Sequence, residues 1–168
     1  MKSILFAMLI AGFAPQIRAA QIDPSTIDMP WKNGPARDAR YLLSQHRNTV
    51  FLFEAFSNSC SWCNRNADQV KALAAEYAGN TRVQFIDLGL DTSDRDYQIW
   101  IGTHQPTYPV VQDVGQKIWN AFSQEDGIPQ TFVMACDGSL VDGTVGYWGT
   151  QERATLRAAI TRGLETTC

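Results

Sequence analysis

Histidine is almost missing from this chain: His46 and His104 are the only two in 168 residues. A structural zinc site asks for about four nitrogen or sulfur ligands at close spacing. Neither histidine lies near the one close cysteine pair, Cys60 and Cys63. Positive charge is not in excess either, with 14 Lys and Arg against 17 Asp and Glu for a net charge of −3. That balance gives no electrostatic case for nucleic acid or an anionic membrane surface. Long apolar runs are missing too: Ile4 to Ala14 is too short to span a bilayer, and no later stretch could do so. There are no internal repeats, low-complexity tracts or long linkers. A 45% hydrophobic content over this length suits one globular domain with a full core.

What is present begins with a processing signature. Met1-Lys2 is a short basic start, the apolar run follows, and Ile17-Arg18-Ala19 offers small-residue cleavage chemistry. Residues 1–19 are expected to be a secretory signal peptide cut after Ala19, with an uncleaved anchor as the alternative. Residues 20–168 then form a single domain with no membrane span. Cleavage removes Lys2 and Arg18 and takes the charge to −3 − 2 = −5. Export would put all four cysteines (Cys60, Cys63, Cys136 and Cys168) where disulfides persist. Four cysteines allow three pairings.

The chain is organised around Cys60-Ser61-Trp62-Cys63. A strand-like run, Thr49 to Phe56, leads through a Ser57-Asn58-Ser59 turn into a helix that begins at the first cysteine. That order places two thiols at a helix N-terminus, where unpaired N–H groups and the helix dipole favour a thiolate. One sulfur attacks and the other resolves the mixed disulfide. The other readings of the pair, half a zinc site or a purely structural disulfide, are weaker: so small a ring restrains little chain.

Around this centre, residues 20–35 read as an extended lead-in with Trp31 as a lid on the core, and 36–46 as a helix with Ala39, Leu42 and Leu43 on one face. The cysteine helix carries Cys63, Ala67, Val70, Ala74 and Tyr77 on one stripe and ends at Gly79-Asn80. Strands are expected over Val83–Leu88 and Pro109–Val111, with helices after Asp91–Asp94 and around Ile118–Phe122. Gly127-Ile128-Pro129 introduces strand Gln130–Ala135, Asp137-Gly138 is a hairpin turn into Leu140–Val145, and Thr150 caps a last helix. Alternating strands and helices, then a hairpin and a helix, imply an α/β fold with a central mixed sheet flanked by helices on both faces.

These motifs in this order resemble the thioredoxin fold over nearly the whole mature chain. The additional strand and helix between residues 91 and 124, with Tyr108-Pro109-Val110-Val111-Gln112-Asp113, are similar to the exported TlpA/ResA-like branch. Glu54-Ala55-Phe56-Ser57 resembles instead the segment before the motif in the dithiol oxidase DsbA. The resemblance implies a periplasmic thiol:disulfide oxidoreductase, with reduction of partner disulfides favoured and electrons drawn from a membrane thiol donor. No cofactor is called for. A dithiol oxidase, a non-catalytic binding module and a copper-handling protein are the alternatives. Copper would ask for a His or Met ligand, and none is evident in the sequence.

By the same resemblance Cys60 is the attacking thiol and Cys63 the resolving one. Glu54 is the buried carboxylate that exchanges the Cys63 proton. Pro129 is cis, and the Ile128 backbone receives partner protein as an added strand. A Glu54 that reaches the rim and pairs with Arg or Lys is the alternative for that residue. Trp62 is either an exposed partner contact or a side chain folded over the motif.

Cys136 and Cys168 lie outside that pattern. Strand Leu140–Val145 runs about 20 Å away from the hairpin turn at roughly 3.3 Å per residue. The last helix returns about 22 Å at roughly 1.5 Å per residue. The chain end is thus brought back to Cys136, and a structural Cys136–Cys168 disulfide is expected at the edge opposite Cys60. The alternative is a buried Cys136 and a free, frayed Cys168.

Overall fold

The computed structural model describes residues 20–36 and 38–168; the expected signal peptide lies outside the described residues. Two short strands, β1 (Asp28–Pro30) and β2 (Arg40–Leu42), precede β3 (Val50–Phe56) and α1 (Ser61–Glu76). Then come β4 (Val83–Gly89), α2 (Asp94–His104), β5 (Val110–Gln112) and α3 (Lys117–Phe122). The hairpin β6 (Gln130–Met134) and β7 (Leu140–Val145) leads into α4 (Thr150–Glu165).

β3 is apolar at every position but Glu54 and is buried along its whole length. A strand of that composition belongs inside a sheet covered on both faces. It sits in the middle of a five-stranded sheet of order β5-β4-β3-β6-β7. β3 runs parallel to β4 and antiparallel to β6, and β7 is antiparallel to β6, so the sheet is mixed. Residue alternation then assigns the faces. Val50 and Leu52 meet Val70 and Leu73 of α1 and Leu156, Ala159 and Ile160 of α4. Phe56, on the same side, packs with Cys63, Tyr97 and Trp100, which brings α2 onto that face. Phe51, Phe53 and Ala55 point the other way, into a cluster with Ile118 and Phe122 of α3 and with Ile27, Met29, Tyr41 and Leu43.

That second face corrects the reading of residues 36–46. The helix expected there is not formed: β2 pairs antiparallel with β1 and is followed by a 3-10 turn at Leu43–Gln45. Met29 and Tyr41 are register partners and both are buried. Trp31 meets Tyr41 edge to face at 5.3 Å. Pairing across the core face outweighs a weak local helical spacing. The face is therefore covered by a hairpin and one short helix rather than by two helices. Two helix ends differ as well: α1 stops at Glu76, before Gly79-Asn80, and Gly149, not Thr150, caps α4. The carboxylate of Glu152 accepts from Gly149 N at 2.8 Å, so the cap is made by a neighbouring side chain.

The β6–β7 turn also pins residues 20–22, the first of the described residues. Gly138 has φ +85°, and a Cβ there would run into the Ile22 carbonyl oxygen. Leu140 N donates to Ala20 O at 2.8 Å and Ile22 N to Gly138 O at 3.0 Å. At the far edge, Lys32 N donates to Val110 O at 2.8 Å. Each sheet edge thus has part of its backbone covered by the N-terminal segment.

Candidate active site

β3 delivers the chain to the sheet edge at Phe56, and the Ser57-Asn58-Ser59 turn redirects it into α1. Asp91 holds that turn: its carboxylate accepts from Ser57 Oγ and from Asn58 N, each at 2.7 Å. Asn64 holds the other side, its Nδ2 donating to Asn58 O and to Cys60 O at 2.9 Å each. With Nδ2 so used, Asn64 Oδ1 must accept, and His104 Nε2 lies 2.8 Å from it as the donor.

Cys60 is the N-cap of α1, its sulfur accepting from Cys63 N at 3.0 Å. Cys60 and Cys63 are joined in a disulfide with Cα atoms 5.2 Å apart. The two sulfurs are not equivalent. Cys60 is half-buried, whereas Cys63 is 1% exposed and packed among Phe56, Ala67 and Trp100. An incoming group can reach only Cys60.

The Ile128–Pro129 peptide is cis, and Ile128 O lies 3.6 Å from Cys60 Sγ. Trp62 is 53% exposed beside the disulfide. Its ring carries the Arg65 guanidinium on it at 4.8 Å, and Tyr147, 43% exposed, stands 6.3 Å away. The indole is therefore both exposed and supported from the sides. Tyr147 adds an aromatic to this surface from the loop after β7; no sequence signal marked it.

Glu54 lies beneath α1, 1% exposed, with no Arg or Lys paired to it among the described residues. Asn66 Nδ2 donates to one carboxyl oxygen at 2.6 Å and Thr131 Oγ1 to the other at 2.5 Å. Both donors are themselves fixed by Trp148, whose N donates to Asn66 Oδ1 at 3.0 Å and whose Nε1 donates to Thr131 Oγ1 at 2.8 Å. Burial pushes the Glu54 carboxyl up to about 8; the Thr131 and Asn66 hydrogen bonds oppose the rise and the charge of Asp87 adds to it. A carboxyl of that kind is neutral at pH 7 and can release or take a proton nearby. The sequence reading missed Asn66; the signal that could have found it is a polar side chain three residues after Cys63, next to the apolar stripe of α1, where a buried Asn must have partners.

Cys136 and Cys168 form a second disulfide, Cα atoms 6.1 Å apart, at the opposite end of β6 from Pro129. Among the described residues no group of three or more His, Cys, Asp or Glu side chains is placed to hold a metal ion.

No family model and no curated protein matches the chain. Solved structures do. A thioredoxin-family thiol:disulfide interchange protein of Chlorobium tepidum is 17% identical, with a TM-score of 0.68 over 88% of this chain and 97% of that one. The thioredoxin domain of a thiol-disulfide oxidoreductase of Bacteroides vulgatus is 14% identical, TM-score 0.67, over 86% of this chain and 99% of that one. A secreted Mycobacterium tuberculosis disulfide oxidoreductase homologous to E. coli DsbE is 13% identical, TM-score 0.63, over 83% and 97%. At these identities the likeness is one of fold, and the fold of this chain is thioredoxin-like.

Proposed function

We propose that this protein is an exported thiol:disulfide oxidoreductase that reduces disulfides of partner proteins in a bacterial periplasm and is recharged by a membrane thiol donor. The observation that carries the reading is the inequality of the two sulfurs: Cys60 at the N-terminus of α1, reachable and facing Ile128 O at 3.6 Å, and Cys63 enclosed behind it. The reductive direction and the site of action rest on the resemblance of residues 91–124 to the TlpA/ResA-like branch and on the signal-like start. No helix among the described residues is long and apolar enough to cross a membrane.

The step runs as follows. In the reduced protein the Cys60 thiolate attacks a partner disulfide; a Cys60–partner bond forms, the partner S–S bond breaks, and one partner thiolate leaves and is protonated by water. The fraction of Glu54 that is ionised takes the S–H proton of Cys63, which then attacks Cys60 Sγ. The mixed disulfide breaks, the second partner thiolate leaves, and the Cys60–Cys63 bond closes. Two electrons pass from the dithiol to the partner. Recharging reverses this: a donor thiolate attacks Cys60, and protonated Glu54 supplies the proton as Cys63 leaves. Thr131 Oγ1 suits either state, since a hydroxyl can donate to the carboxylate or accept from the acid. Ile128, Pro129 and the Trp62 surface receive the partner chain.

The test is reduction of insulin by dithiothreitol. Cys60→Ser should abolish the acceleration, and equal turnover by wild type and variant would leave only a binding module.

A further inference from the structure

Asp87 is buried to 2% exposure, and the exchange chemistry above makes no use of it. It is the register partner of Glu54 on β4, as Thr131 is on β6, so Thr131, Glu54 and Asp87 form one row across the sheet. Directly paired residues on adjacent strands point to the same face and lie about 4.8 Å apart. Trp100 Nε1 donates to Asp87 Oδ2 at 2.8 Å, and the neighbouring Tyr108 side chain acts to lower the Asp87 pKa against the effect of burial.

The groups that face this pair do not neutralise it. From α1, Lys71 attracts the Asp87 charge, but its Nζ is paired with Asp68 at 2.9 Å and donates to His104 O at 3.0 Å. From α2, His104 meets Trp100 in a tilted contact at 4.2 Å, and burial lowers its pKa, so the charged form is disfavoured there. Tyr108, before β5, is held neutral by burial and by both carboxylates. Asn66 and Thr131 bring dipoles, not charge. Two adjacent buried carboxylates without a paired cation cannot both ionise cheaply, and one keeps its proton. Burial raises both carboxyls, and the charge of Asp87, facing Glu54 across the β3–β4 ladder, raises Glu54 further and so favours its protonated form.

We infer that Asp87 is a positioning residue for proton transfer: facing Glu54 across the β3–β4 ladder, it keeps a proton on Glu54 in the oxidised protein, ready for Cys63 as that sulfur leaves. The inference rests on the exchange reading of Glu54 and Cys63. Its sequence signature is a second acid in a strand that is otherwise buried and apolar.

Asp87→Asn keeps an acceptor for Trp100 and removes the charge. Two measurements follow on oxidised protein: a carboxyl-carbon NMR titration of Glu54, and the pH profile of reduction of the Cys60–Cys63 disulfide by dithiothreitol. In Asp87→Asn the Glu54 midpoint should fall by about one pH unit or more, the size of a neighbouring-charge effect. The high-pH loss of rate, corrected for dithiothreitol thiolate, should move down with it. Adding Asp87→Asn to Glu54→Gln should then change the profile no further. Should Asp87→Asn fail to fold, Glu54→Gln gives the reciprocal reading, because coupling between two sites is mutual: the Asp87 midpoint must fall by a similar amount. An unmoved Glu54 midpoint, or an unmoved Asp87 midpoint in Glu54→Gln, overturns the inference. So does a shifted midpoint with an unshifted rate profile, which reduces the pair to a structural one. Chemical reduction by dithiothreitol needs no partner protein, so a failed insulin assay would count against the exchange reading alone.

Discussion

Asn66 donates to Glu54 at 2.6 Å from the turn of α1 that follows Cys63. One side chain therefore links the buried acid to the helix that carries the resolving sulfur. It does so only because Trp148 N occupies its Oδ1 at 3.0 Å and sets the amide's orientation.

Asn66→Ala would leave the Trp148 N–H and one Glu54 oxygen unpartnered in the core. Losing a partner for a buried polar group costs about 1–3 kcal/mol, so the melting temperature should fall. The Asn66 hydrogen bond lowers the Glu54 pKa, so its loss should raise the Glu54 midpoint, opposite in sign to Asp87→Asn. Carboxyl-carbon NMR separates the two variants; a fall in Asn66→Ala would contradict this account of the site.

Glu54 also makes stability depend on pH. Its folded value, about 8, lies above the 4.5 of an ordinary glutamate in water. Between those values the folded state binds more protons than the unfolded one, so stability declines as pH rises through that window. A shift of this size corresponds to about 2–5 kcal/mol, lost by pH 8 and fully present near pH 4. Glu54→Gln should flatten that part of the decline and melt at a higher temperature than wild type at pH 8. Parallel melting curves for the two proteins from pH 5 to pH 8 would move the burden to Asp87 alone.

Direction of electron flow is a matter of potential. Cys63→Ser should trap Cys60 in mixed disulfides with partner proteins, because the resolving sulfur is gone. Equilibration of the wild-type pair with glutathione then decides between roles. A value near about −270 mV or below fits the proposed reductase, and one near about −120 mV an oxidase.

The sequence was most legible where covalent spacing or strong periodicity set the outcome. Cys60 and Cys63 after an apolar strand, the Gly138 turn and the α4 stripe are local patterns, and the strands and helices follow them closely. The partners of Glu54 were not legible. Thr131 reaches it across a strand pair, and Trp148 reaches Asn66 over 82 residues of chain. The segment 36–46 misled because its apolar spacing suits a helix, while Tyr41 answers to Met29 across a hairpin and to Trp31 above it.

The Cys136–Cys168 bridge is expected to matter for stability and not for exchange. It ties the end of β6 to the end of α4, 32 residues on, and Thr166 O lies 3.7 Å from Cys136 Sγ. α4 is already held by Leu156, Ala159 and Ile160 in the core and by the Arg162–Asp142 ion pair at 2.6 Å. Removing the bridge should therefore loosen the unfolded chain more than it alters the folded one. The loop-entropy model gives about 3–4 kcal/mol for a loop of this span. For a domain of this size that is a fall in melting temperature of roughly 6–15 °C. Because Cys136 sits at the end of β6 away from Pro129, Cys136→Ser/Cys168→Ser should reduce insulin at nearly the wild-type rate below its melting transition. A tryptic Cys136–Cys168 cross-link in the unreduced protein is the direct check, and ready alkylation of Cys168 without reductant would show the bridge to be absent. Loss of insulin reduction in a folded double variant would instead mean that the far end of the sheet controls the Cys60 loop.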